Sequence, residues 1–306
     1  MNIQFELPIS EKPFVELADR MKIDHNYLIR KIKELKVNGV IKRIGIDLNY
    51  KALKDSFGAL VGLYVPFGRI FLTAKEINKL NPKHNFWRDH WKYNIWFTVK
   101  AENAGTLKEK VKTIIDRIQC ENHVFLPTER IYRMSVKFDL INGISMSSGR
   151  IEPKKVRKLK ELGISEDLVR KLVDIDVSER PFYKFKENGY TESEIVDLIV
   201  ELMKEGIVRD FFATLNERKI GFNVNCMFSA EVKSESDEFI VKVTRKYSQI
   251  THMIKRKPSE DWPYNIYFML HARTKETIEH LGMKIIKDLN AERYEKLYSV
   301  MDLKYL

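Results

Sequence analysis

Cysteine is almost absent from this chain. Cys120 and Cys226 stand far apart, so no disulfide framework, thiolate zinc site or CxxC redox pair can be built. Glutamine is nearly as scarce, at Gln4, Gln119 and Gln249, in a chain rich in lysine and glutamate. That balance leans toward a thermophilic source. No apolar run approaches the roughly 20 residues that span a bilayer. The start, Met1-Asn2-Ile3-Gln4-Phe5-Glu6-Leu7-Pro8, lacks the basic segment and long apolar stretch of a secretory signal. The expectation is a cytoplasmic protein with no membrane contact.

What is present is ample for folding. A length of 306 residues, 44% hydrophobic and 32% charged, suits about two globular domains, each with its own core. The net charge of +11 invites a nucleic-acid reading, so its distribution matters. Residues 1–140 carry 25 Lys and Arg against 16 Asp and Glu, residues 141–172 carry 8 against 4, and residues 173–306 carry 21 against 23. The basicity belongs to the first half and to the segment that follows it.

One pattern occurs twice. The first copy is His84-Asn85-Phe86-Trp87-Arg88-Asp89-His90-Trp91-Lys92-Tyr93-Asn94-Ile95-Trp96-Phe97. The second is His252-Met253-Ile254-Lys255-Arg256, followed by Asp261-Trp262-Pro263-Tyr264-Asn265-Ile266-Tyr267-Phe268. Each has His-x-x-x-Arg, a tryptophan, then Tyr-Asn-Ile-aromatic-Phe. A spacing of four puts His and Arg on one face of a helix or a strand. A cation beside an imidazole, with aromatics close by, suits a flat anionic ligand. For either copy alone, an ordinary hairpin with its aromatics in the core and its His and Arg in water is the simpler account. Repetition in a chain with only seven histidines favours function.

Residues 8–50 predict a winged helix-turn-helix. Ser10 caps a helix carrying Phe14, Leu17, Ala18 and Met21 on one face, and Asp24 caps a second that stops at Asn38-Gly39. Val40 to Ile46 reads as a wing strand. Residues 56–140 follow a β-α-β-β-α-β order, with Leu107, Val111, Ile114, Ile115 and Ile118 at helical spacing and Ile131 to Leu140 as the last strand. Residues 141–172 read as a basic linker with a helix from Pro153 to Leu162. The second half then repeats the order of the first: Ser178-Glu179-Arg180-Pro181-Phe182 answers Ser10-Glu11-Lys12-Pro13-Phe14, and Leu215-Asn216 answers Leu48-Asn49. The expected fold is α+β, a tandem duplication of a winged helix-turn-helix plus a ferredoxin-like domain. Its parts are residues 1–52, 53–140, the linker 141–172, 173–218 and 219–306.

This is the layout of feast/famine transcription regulators, which need cations on the recognition helix. The first copy offers Arg30, Lys31, Lys33, Lys36, Lys42 and Arg43. The second, Thr191-Glu192-Ser193-Glu194-Ile195-Val196-Asp197-Leu198-Ile199-Val200-Glu201-Leu202, is acidic. A two-fold reader needs two competent helices, so specific DNA binding is not expected.

The repeated segments carry a family resemblance. His84-Asn85-Phe86-x-Arg88-Asp89-x-x-x-Tyr93-Asn94-Ile95-Trp96-Phe97-Thr98 resembles the signature of one siroheme decarboxylase subunit. Asp261-Trp262-Pro263-Tyr264-Asn265-Ile266-Tyr267-Phe268-Met269-Leu270-His271-Ala272-Arg273-Thr274 resembles that of its partner. The resemblance covers nearly the whole chain apart from the linker and implies a natural fusion of the two subunits, whose halves pair with each other. It implies loss of CO2 from the C12 and C18 acetate arms of siroheme, giving didecarboxysiroheme in the alternative haem pathway. His84, Arg88, His252 and Arg256 are the expected catalytic residues. Trp87, His90, Tyr93, Asn94, Trp96, Trp262, Tyr264, Asn265, His271 and Arg273 are the expected substrate contacts. A histidine near neutral pKa is the natural proton donor, and an arginine holds a carboxylate bidentately. Either His84 or His252 can instead ligate the iron of siroheme. The copies differ: the third strand carries Lys100 in the first and His271 in the second. No redox cofactor, pyridoxal or metal of its own is expected, and haem is a conceivable product-like ligand. A further homodimer stays open. The alternatives are a regulator that senses haem or an amino acid, and a haem-binding chaperone or sensor.

Overall fold

The computed structural model describes residues 1–54, 56–233 and 236–306. The chain runs α1 (Asn2–Phe5), α2 (Pro13–Met21), α3 (His25–Val37), β1 (Ile41–Leu48), β2 (Phe57–Leu63), α4 (Ile70–Asn78), β3 (Asn85–Asp89), β4 (Ile95–Ala101), α5 (Ala104–Ile118) and β5 (His123–Met134). A short hairpin, β6 (Lys137–Asp139) and β7 (Ile144–Met146), and helix α6 (Glu166–Lys171) precede the second copy. That copy is α7 (Glu192–Lys204), β8 (Val208–Leu215), β9 (Val224–Glu231), α8 (Asp237–Lys246), β10 (His252–Arg256), β11 (Ile266–Ala272), α9 (Lys275–Asp288) and β12 (Arg293–Asp302). The duplication expected from the sequence is therefore present, with the same order from α3 to β5 as from α7 to β12. The two compact units, however, are not the two halves. One unit joins Met1–Lys54 to Ser135–Phe222, the other Asp55–Met134 to Asn223–Leu306, so each draws on both copies.

In the first unit the two wings, β1 and β8, pair antiparallel, from Ile41 opposite Leu215 to Leu48 opposite Val208. Asp24 caps α3 as expected, accepting the Tyr27 N–H at 2.7 Å, and Gly39 follows in a left-handed conformation. The cap of α2 is Lys12 rather than Ser10, because Pro13 fixes the first helical position. The counterpart of α2 in the second copy is only a 3-10 helix over Tyr183–Asn188, ended by the left-handed Gly189.

Residues 141–172 are not a detached linker. Leu159, Leu168, Val169 and Leu172, with Ile175 just beyond, are buried in the core of the helix-turn-helix unit. The Ile46 N–H donates to the Leu172 carbonyl and the Ile175 N–H to that of Ile44, so this segment lies along wing β1 as an added strand would. Gly45, at φ +153°, allows that approach, since a Cβ there would stand 2.2 Å from the Leu172 oxygen. The expected helix from Pro153 is only a 3-10 turn over Leu159–Leu162. The last strand of the first ferredoxin-like domain is β5, which starts at His123 instead of Ile131. Alternation persists past Met134 because Phe138 is buried against Phe222, at 4.7 Å between ring centroids, in the helix-turn-helix unit.

In the second unit, strand order is β5-β2-β4-β3 in the first copy and β12-β9-β11-β10 in the second. Strand β3 pairs with β12, and β10 pairs with both β5 and β11. Eight antiparallel strands thus close on themselves, which removes the free edges each copy would expose alone. The two copies pair through these seams, as expected of subunits joined in one chain. Residues alternate between faces. Ala59, Val61, Leu63, Ile95, Phe97 and Val99 lie under α4 and α5. Leu60, Trp96, Leu126, Met227, Tyr267 and Leu297 turn inward.

Candidate active site

The inward faces of the strands set the site. His84, Phe86 and Arg88 alternate along β3 and its approach, and His252, Ile254 and Arg256 along β10. Ring closure then carries a row of inward-facing positions across four strands from each arginine. Arg88 stands opposite Ser299 in the β3–β12 register, the Ser299 hydroxyl donates to Asn225 Oδ1 at 2.6 Å, and Asn225 stands opposite His271. In the second row Arg256 stands opposite Thr128 and Gly58 opposite Lys100. A Cβ on Gly58 would lie 3.8 Å from Thr128 Oγ1 and 4.0 Å from Lys100 Cγ, so these three share one face. The rows occupy equivalent positions of the repeat and differ in content.

Both arginines are buried, at 4% and 6% exposure. Each reaches the last strand of the opposite copy. Arg88 Nη1 donates to the Leu297 carbonyl on β12 at 2.6 Å, and Arg256 Nη1 to Thr128 Oγ1 on β5 at 2.7 Å. Their guanidinium carbons stand 5.1 Å from the Phe86 ring centre and 5.5 Å from that of Tyr267. Burial pulls both down to about 10. Among the described residues the hydrogen bonds of both groups go to neutral acceptors, and each Nε has no hydrogen-bond partner. An ion buried without its counter-ion normally costs several kcal/mol.

His84 is stacked on Phe86, with ring centres 6.0 Å apart. Burial first, then the charges of Lys83, Arg88 and Lys304 and the nearby His271, push its pKa down to about 3. That runs against the near-neutral value expected of a proton donor: burial removes water and the surrounding groups are cationic, and both disfavour the charged imidazole. An uncharged imidazole keeps a lone pair for an iron centre. His252 stands opposite Met134 and Met269, with Nδ1 3.1 Å from the Thr251 hydroxyl. Among the described residues no cluster of three or more His, Cys, Asp or Glu side chains is placed to hold a metal ion.

Several expected substrate contacts have structural tasks. The Asn94 side chain is spent on one residue, donating to the Val65 carbonyl at 2.8 Å and accepting its N–H at 2.9 Å. Asn265 does the same with Val232, at 2.9 and 3.0 Å. These amides act as backbone surrogates where a strand ends. Tyr93, Trp96, Trp262, Tyr264 and Tyr267 form one buried cluster, with Trp96 and Trp262 5.3 Å apart at a tilt of 51° and Trp262 4.7 Å from Tyr264. Trp96 Nε1–H donates to the Tyr93 carbonyl, and Tyr267 O–H to that of Tyr264. The two signature segments therefore pack each other across the repeat. Trp87 faces outward to the helix layer, edge-on to Phe67 at 5.5 Å, and Arg273 is exposed. The His90 Nδ1 accepts two backbone N–H groups, at 3.2 Å each, and its Nε2 lies 3.5 Å from Glu295, so it braces its own turn. Of the expected contacts, His271 stands in an interior row. Ser299, Asn225, Thr128, Gly58 and the cation Lys304 were not singled out from the sequence. The inward alternation of the strands, laid over the repeat, is the signal that locates the row residues.

Ferredoxin-like domains closed two by two, with a helix-turn-helix on each copy, define a class. An AsnC-like ligand binding domain matches residues 56–133 and again 219–304, and a siroheme decarboxylase NirDL-like HTH domain matches residues 1–42. Over 308 residues the chain is 25% identical to the siroheme decarboxylase of Hydrogenobacter thermophilus, covering 99% of this chain and 90% of that protein. It is 31% identical to the siroheme decarboxylase beta subunit of Methanosarcina barkeri over 42% of this chain and 86% of that subunit. It is 30% identical to the alpha subunit of Desulfovibrio desulfuricans over 46% of this chain and 80% of that subunit. The crystal structure of the siroheme decarboxylase NirDL shares the fold, with a TM-score of 0.66 and 22% identity over 99% of this chain and 89% of that one. The chain belongs to the siroheme decarboxylase family and carries its AsnC-like ligand-binding domain twice.

Proposed function

We propose that this chain removes CO2 from the acetate arms of siroheme, those at C12 and C18, leaving methyl groups. In each step the bond between the methylene carbon and the carboxylate breaks. CO2 leaves, the electron pair passes to the tetrapyrrole-stabilised methylene carbon, and one proton is added there. The observation that carries this reading is the pair of buried guanidinium groups, Arg88 and Arg256. Each has a histidine four residues earlier, and neither has a carboxylate partner among the described residues. A ligand rich in carboxylates supplies the missing anions and offsets the cost of the buried charges.

The neutral state of His84 fits the same reading. Lys83, Arg88 and Lys304 help to hold its proton off, and incoming carboxylates oppose that effect. Substrate entry thereby favours the charged imidazole more than the unliganded charges do, and a protonated His84 can supply the proton that the methylene carbon takes. Uncharged, it can bind the siroheme iron instead. The aromatic cluster around Trp96 and Trp262 keeps water from the interior, which strengthens charge interactions there.

Anaerobic incubation of the purified chain with siroheme, followed by mass analysis, tests the proposal. Loss of two CO2 per molecule is expected. Unchanged substrate mass with demonstrably folded protein overturns it in favour of a sensor. Two variant sets then assign the work, His84→Ala with Arg88→Ala and His252→Ala with Arg256→Ala. If both rows react, each set leaves partial activity or a product short of one CO2. If one row is idle, one set is silent.

A further inference from the structure

Helices α4 and α8 hold the same place in the two copies and bury residues at the same spacing, Ile70, Thr73 and Ala74 in one and Ile240, Val243 and Thr244 in the other. Their outer faces differ. Set in that phase, the outer stripe of α8 is Asp237, Glu238, Val241 and Lys242, three of them charged. The stripe on α4 and the 3-10 turn that leads into it is Phe67, Gly68, Phe71 and Leu72. Phe67, Phe71 and Leu72 are 72, 44 and 67% exposed. A helix that is apolar on both faces is normally buried on both. The neighbouring strand seam repeats the contrast. On the outer face of β3 and β12, Trp87 stands opposite Met301, itself 37% exposed, whereas at the related place on β10 and β5 Lys255 stands opposite Arg130. Phe67 meets Trp87 edge-on at 5.5 Å, so helix and seam make one apolar surface. The fold does not ask for it, since the second copy builds the same elements with charged residues there.

We propose that this surface pairs with its own counterpart on a second copy of the chain, α4 against α4 about a two-fold axis. The pairing is independent of the decarboxylase reading. Three features favour a second copy. At about 200 Å² for each side chain, the exposed fractions of Phe67, Phe71, Leu72 and Met301 amount to roughly 400 Å² of apolar surface. A standard interface takes about 800 Å² from each partner, somewhat more than half of it apolar. The rim carries both signs, exposed Lys75 and the Lys79–Glu76 pair on α4 and exposed Asp89 at the end of β3, so an identical surface is not repelled. An anionic membrane would call for cations alone. Gly68, finally, lies in the middle of the apolar stripe, and a Cβ there would meet nothing within 4 Å. That leaves room for a side chain of the facing helix.

Sedimentation velocity of the whole chain across about 1–100 μM, the range in which an interface of this size reports, tests the pairing. The expected species is twice 36.2 kDa. Leu72→Lys and Phe67→Asp give α4 the residues that α8 carries, Lys242 and Asp237. Each is expected to weaken pairing at least about a hundredfold, because a two-fold axis repeats the change in both partners. Both positions are largely exposed, so the fold should tolerate the change. If one variant does not fold, the other decides alone. Lys242→Glu, on α8, is expected to leave the dimer intact. A monomer at every concentration of the unmodified chain overturns the proposal, as does a dimer indifferent to both α4 variants. Flotation of the unmodified chain with phosphatidylglycerol vesicles, lost in the same variants, would assign the face to a membrane and overturn it too. No arm depends on siroheme turnover, so failure of the decarboxylase reading leaves this result standing.

Discussion

At His84, burial and surrounding positive charge act in one direction, and a pH dependence follows. The pKa in the folded chain is about 3, well below the ordinary value of 6.5. Between those values the unfolded chain takes up the proton and the folded one does not. His84 therefore costs the fold nothing above pH 6.5, and stability falls as pH drops from 6.5 toward 3. The slope is at most about 1.4 kcal/mol per pH unit. Urea midpoints measured across that window should fall less steeply in His84→Gln than in the unmodified chain. Parallel curves would show that His84 is not held neutral. The two asparagines give a second residue-scale prediction. Asn94→Ala and Asn265→Ala each orphan a backbone N–H and a carbonyl, so each should lower stability by about 2–3 kcal/mol, with little change in tetrapyrrole affinity once folded. A variant with unchanged stability and lost affinity would return these residues to the ligand site.

At the scale of elements, the segment between the copies works as a clasp. Glu152 is buried, its Oε1 accepts Arg209 Nε–H from β8 at 2.6 Å, and its Oε2 accepts Asn49 Nδ2–H at 3.2 Å, just past β1. One carboxylate thus ties both wings. Removing one partner of a buried pair strands the other charge and typically costs about 3–5 kcal/mol. Glu152→Ala should destabilise the helix-turn-helix unit by about that much, seen as a loss of amide-exchange protection in β1 and β8. Unchanged protection there would reduce the segment to a tether. Nothing in residues 141–172 signals this from the sequence. Their basic and glycine-containing composition matches a solvated linker, and their burial depends on surfaces supplied by both copies.

At the scale of the whole molecule, three of the cations of the first helix-turn-helix are already engaged. Lys31 pairs with Glu34 at 2.8 Å, Lys36 with Asp174 at 2.7 Å and Lys42 with Glu217 at 2.9 Å. In the second copy α7 opens on Glu192 and Glu194, with Glu192 buried against Arg180. Duplex DNA should bind no tighter than about 10⁻⁴–10⁻⁶ M, without sequence preference, and be released by moderate salt. A footprint on a defined palindrome at physiological salt would refute this. Among the described residues no helix is long and apolar enough to cross a bilayer.

The sequence by itself determined the duplication, the order of elements in each copy and the His-x-x-x-Arg pairs on β3 and β10. These are local matters, written in periodicity, caps and repetition. The barrel was decided only by tertiary structure. Ring closure through the β3–β12 and β10–β5 seams brings Arg88 to Ser299 and Arg256 to Thr128, residues far apart in the chain. It also turns the signature aromatics Trp96, Trp262 and Tyr264 into packing. Side chains on one strand face report only that they face inward. What they meet there depends on how the strands of the two copies pair, and non-local pairing leaves no pattern in either strand taken alone.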